Sequence, residues 1–181
     1  MLREVNKEIF VHIQSFAEWK KTSPFKVGFE GTAGVDQGFN PYYRYLHENQ
    51  EPGMYDMGIG LKMLREYVFE DIRSKLFPEL PSRQTCLWVV PMKKAEDIIY
   101  WKTQLDVDRQ FILLELTGKV FSTDESHLHI RPENFRNIKE LEGKAKDYWG
   151  AEPGDSVEEN LFEGKFKVLE ILSETGDIVQ K

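Results

Sequence analysis

The chain has 181 residues, of which 13% are aromatic, and a formal net charge of -7 at pH 7. A chain of this length and composition buries its own core, which excludes a disordered protein and predicts one domain over residues 1–181. The acidic balance argues against broad nucleic-acid binding, because such binding depends on neutralising phosphates. No stretch reaches the ~20 apolar residues of a membrane span. With Cys86 as the single cysteine, we expect a reduced, cytoplasmic protein without a membrane partner.

The first part of the chain predicts a strand, a long loop and a helix. Apolar alternation predicts a strand over Glu8–Ile13, with His12 on the face opposite the apolar stripe. Residues from about 25 to 60 are rich in Gly, Asn, Pro and aromatic residues. Such a long loop typically covers a core or carries function. Apolar residues at steps of three and four then predict a helix over Gly60–Leu76.

The second part of the chain alternates strands and helices. The predicted elements are a central strand over 85–90, a helix over 93–105, a strand over 111–116 that continues through a turn or bulge at 117–119 into another strand, a helix from Pro132 to 150, an alternating strand over 165–172, and a last turn and strand at 176–179. This order predicts an α+β domain with a sheet flanked by helices.

The sequence contains no standard catalytic motif. No phosphate-binding loop, paired-histidine helix motif or nucleophile elbow is present. The glycine-rich segments GFEGTAG and GVDQG do not form a dinucleotide-binding motif, because neither follows a strand and opens a helix. His127 and His129 would share one face of a short strand, and Asp124 or Glu125 would add an oxygen ligand. A closed metal site needs more ligands than these. We therefore assign this segment to a surface turn and assign no metal.

Five residues have a functional interpretation beside an ordinary structural one. His12 is either a hydrogen-bonded strand histidine or a residue of a cleft, and Ser82 either ends a loop or lines a site at the entry to the central strand. Arg83 would hold a phosphate or carboxylate. Glu158 and Glu159 precede the last strand, so one of them faces a cleft if the other faces solvent.

Taken together, several segments resemble the ADP-ribosyltransferase-like superfamily. They are the first strand with His12, PSRQTCLWVV followed by a helix, ILLELTGKVF, and a carboxylate ahead of an alternating strand. The run that includes FEDIRSKLFPELPSR, YWG and ENLFEG is similar, more closely, to an uncharacterised microbial family placed near that superfamily. The resemblance implies a mixed, split β-sheet flanked by helices, with NAD bound as substrate in its cleft.

The resemblance also implies roles for particular residues. His12 would contact the nicotinamide ribose, Ser82 and Arg83 would line the NAD site, and Glu159 would support the ribose as nicotinamide departs. The catalytic residues would then be Glu159 and His12, with NAD or a related nucleotide as partner and an acceptor that the sequence does not name. Adjacent glutamates and Ile13 after His12 depart from the superfamily pattern. Two alternatives stay open: a non-catalytic nucleotide- or protein-binding module, and an RNA 2′-phosphate-processing relative.

Overall fold

Strands and helices pack together as an α+β fold. The computed structural model describes residues 1–15, 23–48, 57–93, 95–104, 109–150, 154 and 157–173. Its strands are β1 (Leu2–Ser15), β2 (Glu30–Ala33), β3 (Leu87–Trp88), β4 (Val90–Pro91), β5 (Arg109–Asp124) and β6 (Glu158–Ser173). Its α-helices are α1 (Pro41–Glu48), α2 (Met57–Leu76), α3 (Ala95–Gln104) and α4 (Ile138–Gly150).

The six strands form one sheet that closes on itself. The strand order is β2-β6-β5-β1-β4, and β3 pairs with β6. Because only Val89 separates β3 from β4, this short segment bridges β6 on one side and β1 on the other. Each pairing between described strands is antiparallel, so the sheet is antiparallel rather than the mixed sheet that was predicted.

Three apolar clusters occupy the faces of this sheet, because successive side chains point to opposite sides. The ring core lies inside the closed sheet and contains Val5, Phe10, Ala33, Val89, Ile112, Leu114, Leu116, Val120, Phe162, Phe166 and Val168. The helix-side core lies between the outer face of the sheet, α2 and α4, and contains Phe69, Ile72, Leu80, Cys86, Phe121, Leu128, Leu141, Ala145, Tyr148, Trp149 and Leu161. The third cluster joins α3 to β1 and contains Val11, Val90, Ile98 and Phe111.

The two longest neighbouring strands are continuous where the sequence predicted interruptions. A turn or bulge was expected at 117–119, yet β5 runs through this point in register with β6. Gly118 (φ +151°) lies directly opposite Gly164 (φ +143°), and both have backbone conformations that other residues rarely adopt. The absence of side chains lets the two backbones approach closely, and the β5–β6 pairing continues through this point.

Two other predicted elements are shorter than the sequence pattern indicated. The predicted strand over 85–90 is divided into β3 and β4, because its ends pair with different neighbours. The last helix was expected from Pro132 but begins at Ile138. Its start is set by Asn137, whose side chain accepts a hydrogen bond from the backbone N–H of Glu140 at 3.0 Å, as an N-cap does.

The segment predicted as a long loop contains regular structure. Between residues 25 and 60 lie β2, a short 3₁₀ helix over Val35–Gln37, α1 and the beginning of α2. The last predicted turn and strand at 176–179 fall outside the described residues. Among the helices that are described, none has both the length and the apolar character needed to cross a membrane.

Candidate functional site

A buried polar cluster, centred on Arg83, lies where α1, α2, α4 and β6 meet. We call it the Arg83 cluster and define it as Arg83, Glu66, Glu159, Tyr43 and Tyr148. The side chains of Arg83, Glu66 and Glu159 are 4%, 3% and 5% exposed. At this burial, a charge must be compensated within the protein.

The Arg83 guanidinium joins the two carboxylates. Its Nε donates to Glu66 Oε2 at 2.8 Å and its Nη2 donates to Glu66 Oε1 at 3.3 Å. On the other side, Nη1 donates to Glu159 Oε2 and to the Tyr148 hydroxyl, the latter at 2.8 Å. The two tyrosine hydroxyls complete the cluster, because Tyr43 donates to Glu66 and Tyr148 donates to Glu159.

Asn40 fixes the turn that carries Arg83. Its side-chain oxygen accepts from the backbone N–H of Tyr43 at 3.1 Å, which caps α1, and Pro41 occupies the first helical position. Its side-chain nitrogen donates to the carbonyls of Arg83 at 2.8 Å and Cys86 at 3.3 Å. The Asn40 side chain therefore connects the start of α1 to the backbone of the turn that contains Arg83 and Cys86.

The charges in the cluster balance in pairs. Arg65 donates through Nε to Glu66 Oε1 at 2.9 Å, so Glu66 lies between two guanidinium groups. Burial alone would raise the pKa of Glu66, but Arg65 and Arg83 outweigh it and lower that pKa to about 2. Burial would lower the pKa of Arg83, whereas Glu159 and Glu66 hold it well above its ordinary value. With Arg65 included, two guanidinium groups therefore face the two carboxylates of Glu66 and Glu159.

Acid is expected to destabilise the protein through Glu66. Its pKa falls from an ordinary 4.5 to about 2 in the folded chain. The stabilisation is therefore fully present above about pH 4.5 and is lost as the pH falls towards 2, and it is on the order of 3 kcal/mol. Urea unfolding between pH 7 and pH 2 measures it. Glu66→Gln should flatten this pH dependence, whereas Glu140→Gln, on an exposed position, should not; an unchanged pH dependence in Glu66→Gln would contradict the assignment.

Ser82 lies beside the cluster but bonds to a different carboxylate. Its hydroxyl donates to Glu70 Oε2 at 2.9 Å, and Arg73 donates to Glu70 Oε1 at 2.7 Å. The Ser82 oxygen also accepts from the backbone N–H of Gln84 at 3.1 Å. Ser82 thus stabilises the turn that carries Arg83. Of these two neighbouring residues, only Arg83 belongs to the cluster.

The carboxylate of Glu159 differs from those of Glu66 and Glu70 in its hydrogen bonds. Both oxygens of Glu66 and both oxygens of Glu70 accept hydrogen bonds. For Glu159, both hydrogen bonds end on Oε2, and no described residue donates to Oε1. One oxygen therefore orients the carboxylate, and the other is available as an acceptor.

A second unpaired group lies on the same face of the sheet. Trp88 pairs with Leu161 across the ladder, two residues from Glu159, so Trp88 and Glu159 are diagonal neighbours on that face. The Trp88 ring centroid is 5.9 Å from the Arg83 Cζ. Its indole N–H is buried and has no acceptor among the described residues. An unpaired donor and an unpaired acceptor therefore flank the same guanidinium.

His12 lies on the other face of the sheet. It follows Val11, which packs against α3, so alternation turns its side chain to the face of Phe10 in the ring core. Its ring is 6.0 Å from that of Phe25, and Nδ1 is 2.8 Å from the Trp88 carbonyl oxygen. The structure thus brings Arg83 and Glu159 into contact but does not bring His12 to them.

Three members of the cluster were missed by the sequence analysis. Glu66 lies three residues before the buried Phe69, so a charge on the buried side of α2 was a usable signal. Tyr148 similarly lies three residues after Ala145 on the buried face of α4. Tyr43 carried no signal, because the sequence placed it in a loop.

The histidine-rich turn does not assemble a metal centre among the described residues. Glu125 and His127 belong to a 3₁₀ helix over Glu125–Leu128. Glu125 accepts from the Tyr100 hydroxyl at 2.8 Å, and its Oε1 is 2.9 Å from His129 Nε2. These contacts connect α3 to the turn and account for the buried carboxylate.

Comparison with known proteins adds a family and no activity. No curated protein matches the sequence. A family model described as "Protein of unknown function (DUF2441)" matches residues 36–174, a range that includes the whole Arg83 cluster. This confirms the expectation of an uncharacterised family, while the placement near ADP-ribosyltransferases stays a prediction. Because the match covers more than half of its length, the chain belongs to the DUF2441 family of unknown function.

Proposed function

We propose that the protein binds NAD and transfers its ADP-ribose group, with Glu159 as the catalytic carboxylate. The observation that carries the proposal is the unengaged Oε1 of Glu159, in a side chain whose Oε2 is fixed by Arg83 and Tyr148. An oriented carboxylate suits a ribose hydroxyl, and its charge stabilises the oxocarbenium-like state that forms as nicotinamide departs. The resemblance to ADP-ribosyltransferase-like enzymes supports NAD as the substrate.

In this proposal each neighbour of Glu159 has a separate role. Arg83 and Tyr148 position the carboxylate, and the Trp88 indole N–H would donate to an oxygen of the ligand. Ser82 would act through the turn that positions Arg83. For His12 to contact the same NAD, the ligand would have to extend past Trp88, whose carbonyl oxygen lies beside the imidazole.

A specific observation favours a second candidate, a nucleotide-binding module without catalysis. Glu159 is 5% exposed, and Arg83, the nearest cation, is fully occupied by two carboxylates. A network that satisfies its own charges stabilises the fold whether or not a substrate is turned over. RNA 2′-phosphate processing would need a guanidinium for the phosphate, and Arg83 bonds to carboxylates instead.

Replacing Glu159 distinguishes the two candidates. Incubation of the wild type with NAD is expected to release nicotinamide, with water taking the ADP-ribose group when no other acceptor is supplied. Glu159→Gln should lower the rate by about 100-fold or more, because the amide lacks the negative charge. Free nicotinamide is measured by chromatography, and urea unfolding checks that the variant is folded.

Glu158→Gln is the matched control. Glu158 adjoins Glu159 on β6 and, by alternation, points to the other face, so its rate should equal that of the wild type. Equal rates in wild type and Glu159→Gln would contradict the catalytic role. Binding of NAD without nicotinamide release by the wild type would favour the non-catalytic module.

A further inference from the structure

The Arg83 cluster is closed to ligands larger than water. The Glu159 side chain is 5% exposed, and the indole N–H of Trp88 is buried. The gap between α1 and α2, on the Glu66 side of the cluster, has about 10 Å³ of free space, which is room for about one water molecule. A ligand of several atoms therefore reaches Glu159 only if an element that covers the cluster moves.

Helix α1 covers one side of the cluster with two tyrosines. Tyr43 is 1% exposed and donates its hydroxyl to Glu66. Tyr42 lies edge-on to Trp88, with ring centroids 6.2 Å apart. Burial raises the pKa of Tyr42, and the charges of Glu66 and, more weakly, Glu159 raise it further. The start of α1 thus lies beside both carboxylates of the cluster.

The attachment of α1 to the core is slight. Of its residues whose side chains the structure describes, Tyr43 and Leu46 are buried, whereas α2 and α4 supply much of the helix-side core. A segment with few buried apolar contacts opens at a lower free-energy cost than the core does. Gly38, just before α1, has φ +71° and open space where a Cβ would stand, so the chain can turn at this point.

The charges of the cluster stay paired when α1 is displaced. Glu66 keeps its hydrogen bonds with Arg65 and Arg83, and no described residue of α1 bonds to Glu159. The hydroxyl of Tyr43 is withdrawn from Glu66, and water takes its place. Moving α2 instead would separate Glu66 from Arg83, so α1 is the element that can leave without creating an unpaired buried charge.

We infer that α1 is a lid over the Arg83 cluster, held shut by the hydrogen bond between Tyr43 and Glu66. When α1 swings away, Trp88 and Glu159 become accessible to a ligand. The inference rests on the proposed function for what the lid admits. The opening itself needs no ligand and is measured without NAD.

Hydrogen exchange of the full chain, resolved by mass spectrometry of its peptides, measures the opening. We expect the hydrogen-bonded amides of α1 to exchange faster than those of α2 and α4 in the wild type. Tyr43→Phe should speed exchange in α1 about tenfold or more and leave α2 and α4 unchanged, because it removes one hydrogen bond to a carboxylate. Tyr100→Phe is the matched control. It removes a tyrosine hydroxyl from another buried carboxylate, Glu125, and should leave exchange in α1 as in the wild type.

Hydroxyl-radical oxidation of Trp88 measures whether the opening uncovers the site. In Tyr43→Phe this oxidation should increase several-fold relative to that of Trp149, which is 2% exposed in the helix-side core and serves as the internal reference. Equal exchange rates in α1, α2 and α4 in both proteins would overturn the inference. Faster exchange in α1 without a gain in Trp88 oxidation would overturn it as well, since α1 would then not be the cover.

The lid and the proposed function fail separately. Opening of α1 together with no release of nicotinamide from NAD supports the lid and contradicts the proposed function. Nicotinamide release by a protein whose α1 exchanges only as fast as α2 and α4 overturns the lid and leaves Glu159 as the catalytic carboxylate.

Discussion

Replacing Arg83 with methionine is expected to lower the free energy of unfolding by about 3–5 kcal/mol. The guanidinium bonds to Glu66, Glu159 and Tyr148, all within a region that water hardly reaches. Methionine fills much of the same space but leaves Glu159 without its cationic partner. The loss therefore comes from an uncompensated buried charge, and urea unfolding at neutral pH measures it.

Two further variants separate this effect from a loss of packing. Arg83→Met combined with Glu159→Gln removes the uncompensated charge and should recover part of the lost stability. Arg3→Met breaks an Arg–Glu pair of similar length, 2.8 Å to Glu8, whose side chains are 40% and 44% exposed. That change should cost at most about 1 kcal/mol. Equal losses for Arg83→Met and Arg3→Met would show that the buried cluster does not hold the helices and the sheet together.

Replacing Gly118 with alanine is expected to destabilise the protein by about 2–5 kcal/mol. The backbone at Gly118 has φ +151°, which an L-residue adopts only with strain. An added Cβ would also overlap the carbonyl oxygen of Glu163 and stand 2.8 Å from the Cα of Gly164. Both neighbours are backbone atoms held in the β5–β6 ladder, so the clash cannot be relieved by rotating a side chain. Thermal or urea unfolding provides the measurement.

Gly143→Ala is the matched control for this substitution. Gly143 lies within α4, and nothing stands within 4 Å of the position that its Cβ would take. Alanine there should stabilise the protein by about 0.5–1 kcal/mol, because glycine is unfavourable inside a helix. A neutral or stabilising effect at both glycines would mean that the close approach at Gly118 is not required for the fold.

Local sequence patterns correctly predicted strands and helices that bury one face and expose the other. In the strand over 165–172, Phe166 and Val168 are buried while Lys165 and Lys167 are exposed, as alternation predicts. The helix over Gly60–Leu76 was also found, although it begins at Met57 and its last apolar residue, Leu76, is 54% exposed. Its buried side includes Glu66, which hydrophobicity alone would place outside.

The predictions failed where long-range pairing decides the structure. β3 and β4 are separate because each end of one extended segment finds a different partner strand, and nothing local specifies this. The approach of Gly118 to Gly164 likewise depends on two segments that are distant in the sequence. Glycine can adopt positive φ, so the sequence is compatible with this backbone conformation at Gly118 and Gly164. It does not indicate that the two residues face each other.

For the candidate site, the sequence predicted two of the residues that the structure brings into contact. Arg83 was selected from its position beside a strand and Glu159 from the resemblance to ADP-ribosyltransferase-like proteins, and the structure places the two side chains in contact. Their participation in NAD binding stays a prediction. His12 was expected beside them. In the closed sheet it lies on the opposite face, because residues on adjoining strands can point to different faces. The helical pattern places Glu66 and Tyr148 on buried helix faces, but it does not indicate that the two faces meet at Arg83.

A crystal structure of the protein with NAD bound is the most direct test of the proposed site. We predict a ribose hydroxyl within hydrogen-bond distance, about 2.5–3.0 Å, of Glu159 Oε1, while Oε2 keeps its contacts with Arg83 and Tyr148. NAD bound elsewhere on the chain, or no bound NAD at saturating concentration, would contradict the proposal that Glu159 holds the ribose.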